Sequence, residues 1–156
     1  MRLVSELRAG LLAVIACLAL QAGAAKADLV DNPQNLLKTW ADAYASRTGE
    51  PMTKVYTKDA QVWGLTAKEP AIGIESIKQF YERGGQNVLE RTATMTKIQM
   101  LPRKRVTMIS GVIQLKAKLK DGTARDIPAR FTMTIIRESR RQWAILSHHV
   151  SAIPAN

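Results

Sequence analysis

The chain has 156 residues, 46% of them hydrophobic and 23% charged, and its 23 Lys plus Arg against 13 Asp plus Glu give a formal charge of +10. That length fits one domain around one core and excludes two full domains, because domains cluster near ~100–150 residues; the apolar share excludes intrinsic disorder and coiled coil. The charge is uneven: residues 28–90 carry 7 basic and 9 acidic side chains, residues 91–156 carry 13 and 3.

Arg2 and Arg8 precede the apolar run Leu11 to Leu20, which small residues and the triplet Ala25-Lys26-Ala27 follow. A basic start, a short apolar run and an A-x-A site predict a secretory signal over residues 1–27 and a periplasmic or secreted protein comprising residues 28–156. The run is shorter than the ~20 apolar residues that span a bilayer, so no stable membrane anchor is expected. Val14-Ile15-Ala16-Cys17 resembles a lipobox, but the apolar run continues past it, which favours ordinary cleavage. Cys17 is the only cysteine. Its loss with the signal removes disulfides, thiol nucleophiles and cysteine metal sites.

Asp31-Asn32-Pro33 offers a cap with proline at the first helical position. Leu36, Leu37, Trp40, Ala41 and Tyr44 then recur at helical spacing until Gly49. Residues 50–56 predict a short second helix with Met52, Val55 and Tyr56 turned inward, and residues 59–63 a short strand. After a loop at Pro70 and Gly73, Ile74, Ile77, Phe80 and Tyr81 predict a third helix that Gly84-Gly85 stops. From there the period becomes two. Strands are predicted over 92–101, 106–120, 127–137 and 142–151, with a hairpin turn at Asp121-Gly122. Helices followed by an antiparallel meander make an α+β domain, its helices gathered on one face of a curved sheet.

The strings Val55-Tyr-Thr-Lys-Asp-Ala-Gln-Val-Trp63, Gly73-Ile-Glu-Ser-Ile77 with Phe80-Tyr81, Ile127-Pro-Ala-Arg-Phe-Thr132 and Trp143-Ala-Ile-Leu-Ser-His-His-Val-Ser-Ala-Ile-Pro154 occur in this order. Together they resemble the SgcJ/EcaC branch of the SnoaL-like, nuclear-transport-factor-2-like superfamily, related to the association domain of calcium/calmodulin-dependent kinase II. The resemblance covers nearly all of residues 32–154. It implies a cone-shaped α+β barrel of the cystatin-like type that encloses one pocket, in a homodimer joined through the sheet. It implies no single reaction, since the superfamily spans dehydratases, isomerases, epoxide hydrolases, binding proteins and oligomerisation modules.

Arg130 sits inside a predicted strand, where a buried arginine needs an anion or an acid. By the resemblance it lines the pocket and holds an organic anion; a salt bridge to Glu75, Glu90 or Asp59 is the alternative. His148 and His149, as strand neighbours, point to opposite faces and cannot clasp one metal ion. Plain alternation groups Trp143, Ile145, Ser147, His149 and Ser151 on one face, and Ala144, Leu146, His148 and Val150 on the other. At most one of the two histidines faces the pocket; the resemblance suggests His148, a candidate acid or base, while His149 matches a family position of the same residue type and is a candidate ligand-binding residue. Asp59 is a candidate general base, or a capping residue at a turn. Tyr44, Tyr56 and Trp63 are expected at the pocket, the last two because a buried polar tip needs a partner; Trp40 is expected to serve packing. No Gly-rich dinucleotide loop or metal cluster is seen, so no cofactor is expected.

The basic residues of Arg103-Lys104-Arg105, the Lys116, Lys118 and Lys120 row, and Arg137, Arg140 and Arg141 lack interleaved exposed aromatics, so no nucleic-acid partner is expected. The residues therefore lead to an exported cone that binds a small organic ligand. The alternatives are a cofactor-free isomerase or lyase using the same pocket, and a homo-oligomerisation module.

Overall fold

A computed structural model describes residues 32–154; the predicted signal segment and its cleavage site lie outside them. Helix α1 (Pro33–Ala45) starts where expected, the Asn32 side chain accepting the Asn35 N–H at 2.8 Å. It buries Leu36, Leu37, Trp40 and Ala43. It ends before Gly49 because the Ser46 hydroxyl donates back to the Ala43 carbonyl and Arg47 turns into the left-handed region at φ 68°. A 3-10 turn (Glu50–Lys54) follows, so Tyr56 opens strand β1 (Tyr56–Trp63) instead of closing a helix. Met52, Val55 and Tyr56 are buried as expected.

Strand β2 (Ala71–Ile72) occupies part of the predicted loop, and helix α2 (Ile74–Gly85) continues through the glycines expected to stop it. The glycine is needed for packing: a Cβ on Gly85 would lie 1.9 Å from the Arg47 carbonyl oxygen. Strands β3 (Val88–Pro102), β4 (Val106–Leu119), β5 (Ala124–Ser139) and β6 (Gln142–Ala152) form the meander. The sheet order is β2-β1-β6-β5-β4-β3, a curved sheet that stays open with β2 and β3 at its edges. It is not purely antiparallel, since β1 lies parallel to β6. Helix α1 lies against β3 and β6, and α2 against β1 and β2, so the core fills the concave side.

Two irregularities decide which side chains face that core. Between Thr96 and Gln99 the β3–β4 register shifts around Lys97 (φ 50°), and Gly111 lies beneath, where a Cβ would meet the Thr96 carbonyl oxygen at 2.8 Å. In β6, Ser147 pairs with Thr134 but Ile145 with Ile135, leaving Leu146 as an extra residue. Such a bulge reverses the side-chain phase. Ile145 is therefore buried in the same core as Val150, beside buried His148, which corrects the grouping that plain alternation gives.

Candidate functional site

Four polar side chains meet inside the core. Trp40 comes from the buried stripe of α1, Tyr81 from α2, Tyr56 from the start of β1 and His148 from β6 beyond the bulge. The Trp40 Nε1–H donates to the Tyr56 hydroxyl oxygen at 2.9 Å; the same hydroxyl lies 2.8 Å from Tyr81 Oη and 2.8 Å from His148 Nδ1. The rings also touch, with His148 edge-on to Trp40 at 5.1 Å and near-parallel to Tyr56 at 6.3 Å. Burial dominates the electrostatics. His148, fully buried, has its pKa lowered to about 3 by desolvation and then by His149, so it is neutral at pH 7. Desolvation raises Tyr81 to about 12 and pushes Tyr56 well above its usual value.

A cavity of about 330 Å³ lies over this cluster. Trp40 and Tyr44 of α1 stack at 5.3 Å on its wall, with Tyr81 edge-on to both at 6.4 Å. Phe80, Arg83 and Gly84 of α2, Val62 and the Gly64-Leu65-Thr66 loop, and Leu115 and Val150 of the sheet complete it together with Arg91 of β3. Gly64 makes room for Phe80, whose ring a Cβ would meet at 2.4 Å. A second recess of about 420 Å³ shares Tyr44, Leu65, Thr66, Arg83, Gly84, Arg91 and Leu115 and adds Lys116 and Arg125. The two form one cleft, aromatic at one end and cationic at the other, with no carboxylate or imidazole on either wall among the described residues.

Arg91 is the charge at the junction. Its side chain lies over the Tyr44 ring, 4.4 Å from the centroid, and its Nε–H donates to the Tyr44 carbonyl. It is 5% exposed, and among the described residues it has no carboxylate within ion-pair distance and its buried Nη2 has no hydrogen-bond partner. Desolvation lowers its pKa and opposes its charge. Such a charge is costly unless something answers it.

Of the residues expected at the site, Tyr44 lines the cavity, while Tyr56 and His148 lie behind its floor. Arg130 is exposed, because Ala129, Phe131, Met133 and Ile135 take the inward positions of β5 and leave the even ones to solvent. His149 and Trp63 sit on the same outer face, paired in register, Trp63 at 37% exposure. Asp59 is exposed and accepts from the Thr57 hydroxyl at 2.9 Å. Arg130 also makes no salt bridge to Glu75, Glu90 or Asp59.

Three site residues escape the sequence reading. Trp40 supplies the indole N–H that holds Tyr56. Tyr81, one turn after buried Ile77, had the signal of an inward hydroxyl in need of a partner. Arg91 lies one residue before the predicted strand, yet an inward partner of Ala93 and Met95 at alternate spacing marks it. Among the described residues, no group of three or more His, Cys, Asp or Glu gathers as a metal site, and no helix is long and apolar enough to cross a membrane.

The SnoaL-like domain model matches residues 34–156. The chain belongs to the SnoaL-like family. Solved structures agree on the fold. This SnoaL-like chain superposes with TM-score 0.71 on a protein designated a calcium/calmodulin dependent protein kinase II association domain from Xanthomonas campestris, at 22% identity over 79% of this chain and 86% of that one. A nuclear transport factor 2-like superfamily protein from Salmonella enterica gives 0.69 at 13% identity, over 78% and 88%. A protein with a cystatin-like fold from Caulobacter vibrioides gives 0.65 at 12%, over 78% and 87%. At these identities the likeness is one of fold. A search of curated protein sequences returned no match.

Proposed function

We propose that this SnoaL-like protein is exported and binds a small aromatic carboxylate, or an organic anion of similar shape, in the cleft between the helices and the sheet. The observation that carries the reading is Arg91: a nearly buried guanidinium with no ion pair and a free buried Nη2, on a wall otherwise built of Trp40, Tyr44, Phe80 and Tyr81. A ligand ring stacks in the aromatic end while its carboxylate takes the guanidinium in a charge-assisted bond. Binding is favoured over proton transfer because the walls hold no carboxylate or imidazole. Neutral His148 reaches the cleft only through Tyr56 and Tyr81, and a hydroxyl near 12 is a poor base at pH 7.

Titration calorimetry with benzoate and benzamide tests this reading. Benzoate is expected to bind at least ~10-fold more tightly, the worth of one charge-assisted bond. Equal binding of the two, or loss of benzoate binding in Arg130→Ala, would remove the anion site from the cleft.

Export rests on the N-terminal pattern, and a homodimer joined through the sheet rests on the family resemblance. Native mass measurement of protein recovered from its host addresses both. Two copies of residues 28–156 are expected; an uncleaved monomer sinks both proposals.

A further inference from the structure

Away from the cleft, at the opposite end of the sheet, two hairpin turns lie side by side. The β3–β4 turn carries Arg103, Lys104 and Arg105, and the β5–β6 turn with its flank carries Arg137, Arg140 and Arg141. The pairing of Val106 with Ile136, and the bond from the Arg137 N–H to the Arg105 carbonyl at 2.9 Å, hold the turns together. All six are exposed, Glu138 is the sole acid within the two turns, and among the described residues no carboxylate lies within ion-pair distance of any. The guanidinium groups are instead braced by backbone oxygens: Arg103 donates to Pro102, Arg105 to Arg137 and Arg137 to Arg140. Arg105, Arg137, Ser139 and Arg140 line a recess of about 240 Å³.

Solvated turns do not gather six like charges without a reason, since their mutual repulsion is uncompensated. Beside them, Leu101 (54% exposed), Val106 (41%) and Met108 (42%) share the outer face of the sheet, Leu101 directly opposite Met108 in register. A cationic rim next to exposed aliphatic side chains is the pattern of a surface that meets both headgroups and the top of the acyl layer.

We propose that this end of the sheet docks on an anionic phospholipid surface, with the arginine recess taking a headgroup phosphate and Leu101 and Val106 entering the interface. The charge complementarity selects an anionic surface, and the aliphatic pair beside it favours the bilayer over a single-stranded nucleic acid, whose bases stack on aromatic side chains. The docking leaves the cleft at the far end free, and it holds whether or not the cleft binds a carboxylate.

Co-sedimentation of the processed chain, residues 28–156, with phosphatidylcholine vesicles, with and without phosphatidylglycerol, tests this. Binding is expected only with phosphatidylglycerol and is expected to weaken with salt. Replacing Arg103, Lys104 and Arg105 together by Ser is expected to weaken it roughly 100-fold, about 5-fold for each charge. The same number of charges removed at the other end, as Lys116→Ser, Lys118→Ser and Lys120→Ser, is expected to cost far less. Leu101→Ser with Val106→Ser, which leaves net charge unchanged, is expected to weaken binding several-fold. Equal losses from the two basic triples would make this a net-charge effect and overturn the proposal. So would saturable binding of inorganic phosphate or an oligonucleotide without vesicle binding.

Discussion

Lowering the pH from 7 to 5 is expected to cost the folded protein about 2 kcal/mol through one side chain, His148. In the unfolded chain a histidine titrates near 6.5, whereas in the fold burial holds His148 at about 3. The folded-state value is the lower one, so between these limits the unfolded chain takes up a proton that the folded chain refuses. Stability is complete above about 6.5 and falls by about 1.4 kcal/mol for each pH unit below it, until about 3. Carboxylates titrate near ~4 in unfolded chains, which leaves the window from 7 to 5 to the histidine. Urea denaturation at the two pH values measures the loss. His148→Gln keeps an amide group against Tyr56 but has no proton to take up, so its stability is expected to be lower at pH 7 and nearly flat down to pH 5. A variant as acid-labile as the wild type would refute the assignment. The Trp40–Tyr56–Tyr81–His148 cluster is thus read as a polar core in which the indole N–H, the two hydroxyls and His148 Nδ1 answer one another while the buried His148 Nε2 has no hydrogen-bond partner among the described residues, with the cleft built on top of it.

Arg91→Met is expected to weaken benzoate binding about 100-fold while changing the stability of the free protein by no more than about 1 kcal/mol. The two numbers come from different parts of the same side chain. In the free protein, removing a desolvated, unpaired guanidinium relieves a cost, and losing the Nε–H bond to the Tyr44 carbonyl adds one of similar size. The methionine also keeps contact with the Tyr44 ring. In the complex nothing offsets the loss, because a bond from a charged donor to a carboxylate in a site away from water is among the stronger polar contacts. Arg91→Lys is expected to restore part of the affinity, as a point charge without the fork that matches a carboxylate. Calorimetry with thermal unfolding of the free protein separates the effects. If Arg91→Met lowers stability by several kcal/mol and leaves benzoate affinity intact, the arginine is a structural brace and the anion site is elsewhere.

How the sequence related to the site is clearest on two strands. On β5 the sequence alone suggests an interior Arg130, answered by a ligand anion or an acid; in the fold Ala129, Phe131, Met133 and Ile135 take the inward positions and the strict alternation turns Arg130 outside. On β6 the alternation itself misleads, because the extra residue Leu146 reverses the phase and no composition signal marks it. Arg91 was missed for a third reason. Its strand begins at Val88, four residues before the Thr-rich run that announces it, and the burial of its guanidinium depends on α1 and α2 closing over the sheet.

Local residue pattern was enough to predict one α+β domain, the start of α1 at an Asn-Pro cap, the meander of β3 to β6 and the inward Tyr56, because caps, periodicity and turns act over a few residues. The parallel pairing of β1 with β6, the convergence of Trp40, Tyr56, Tyr81 and His148, the free guanidinium of Arg91 and the gathering of two basic turns at one end were decided only in three dimensions. Such contacts join residues far apart in the chain, 16 positions for Trp40 and Tyr56 and 92 for Tyr56 and His148, and what brings them together is the order of strands in the sheet and the register of each pair, which no single segment encodes.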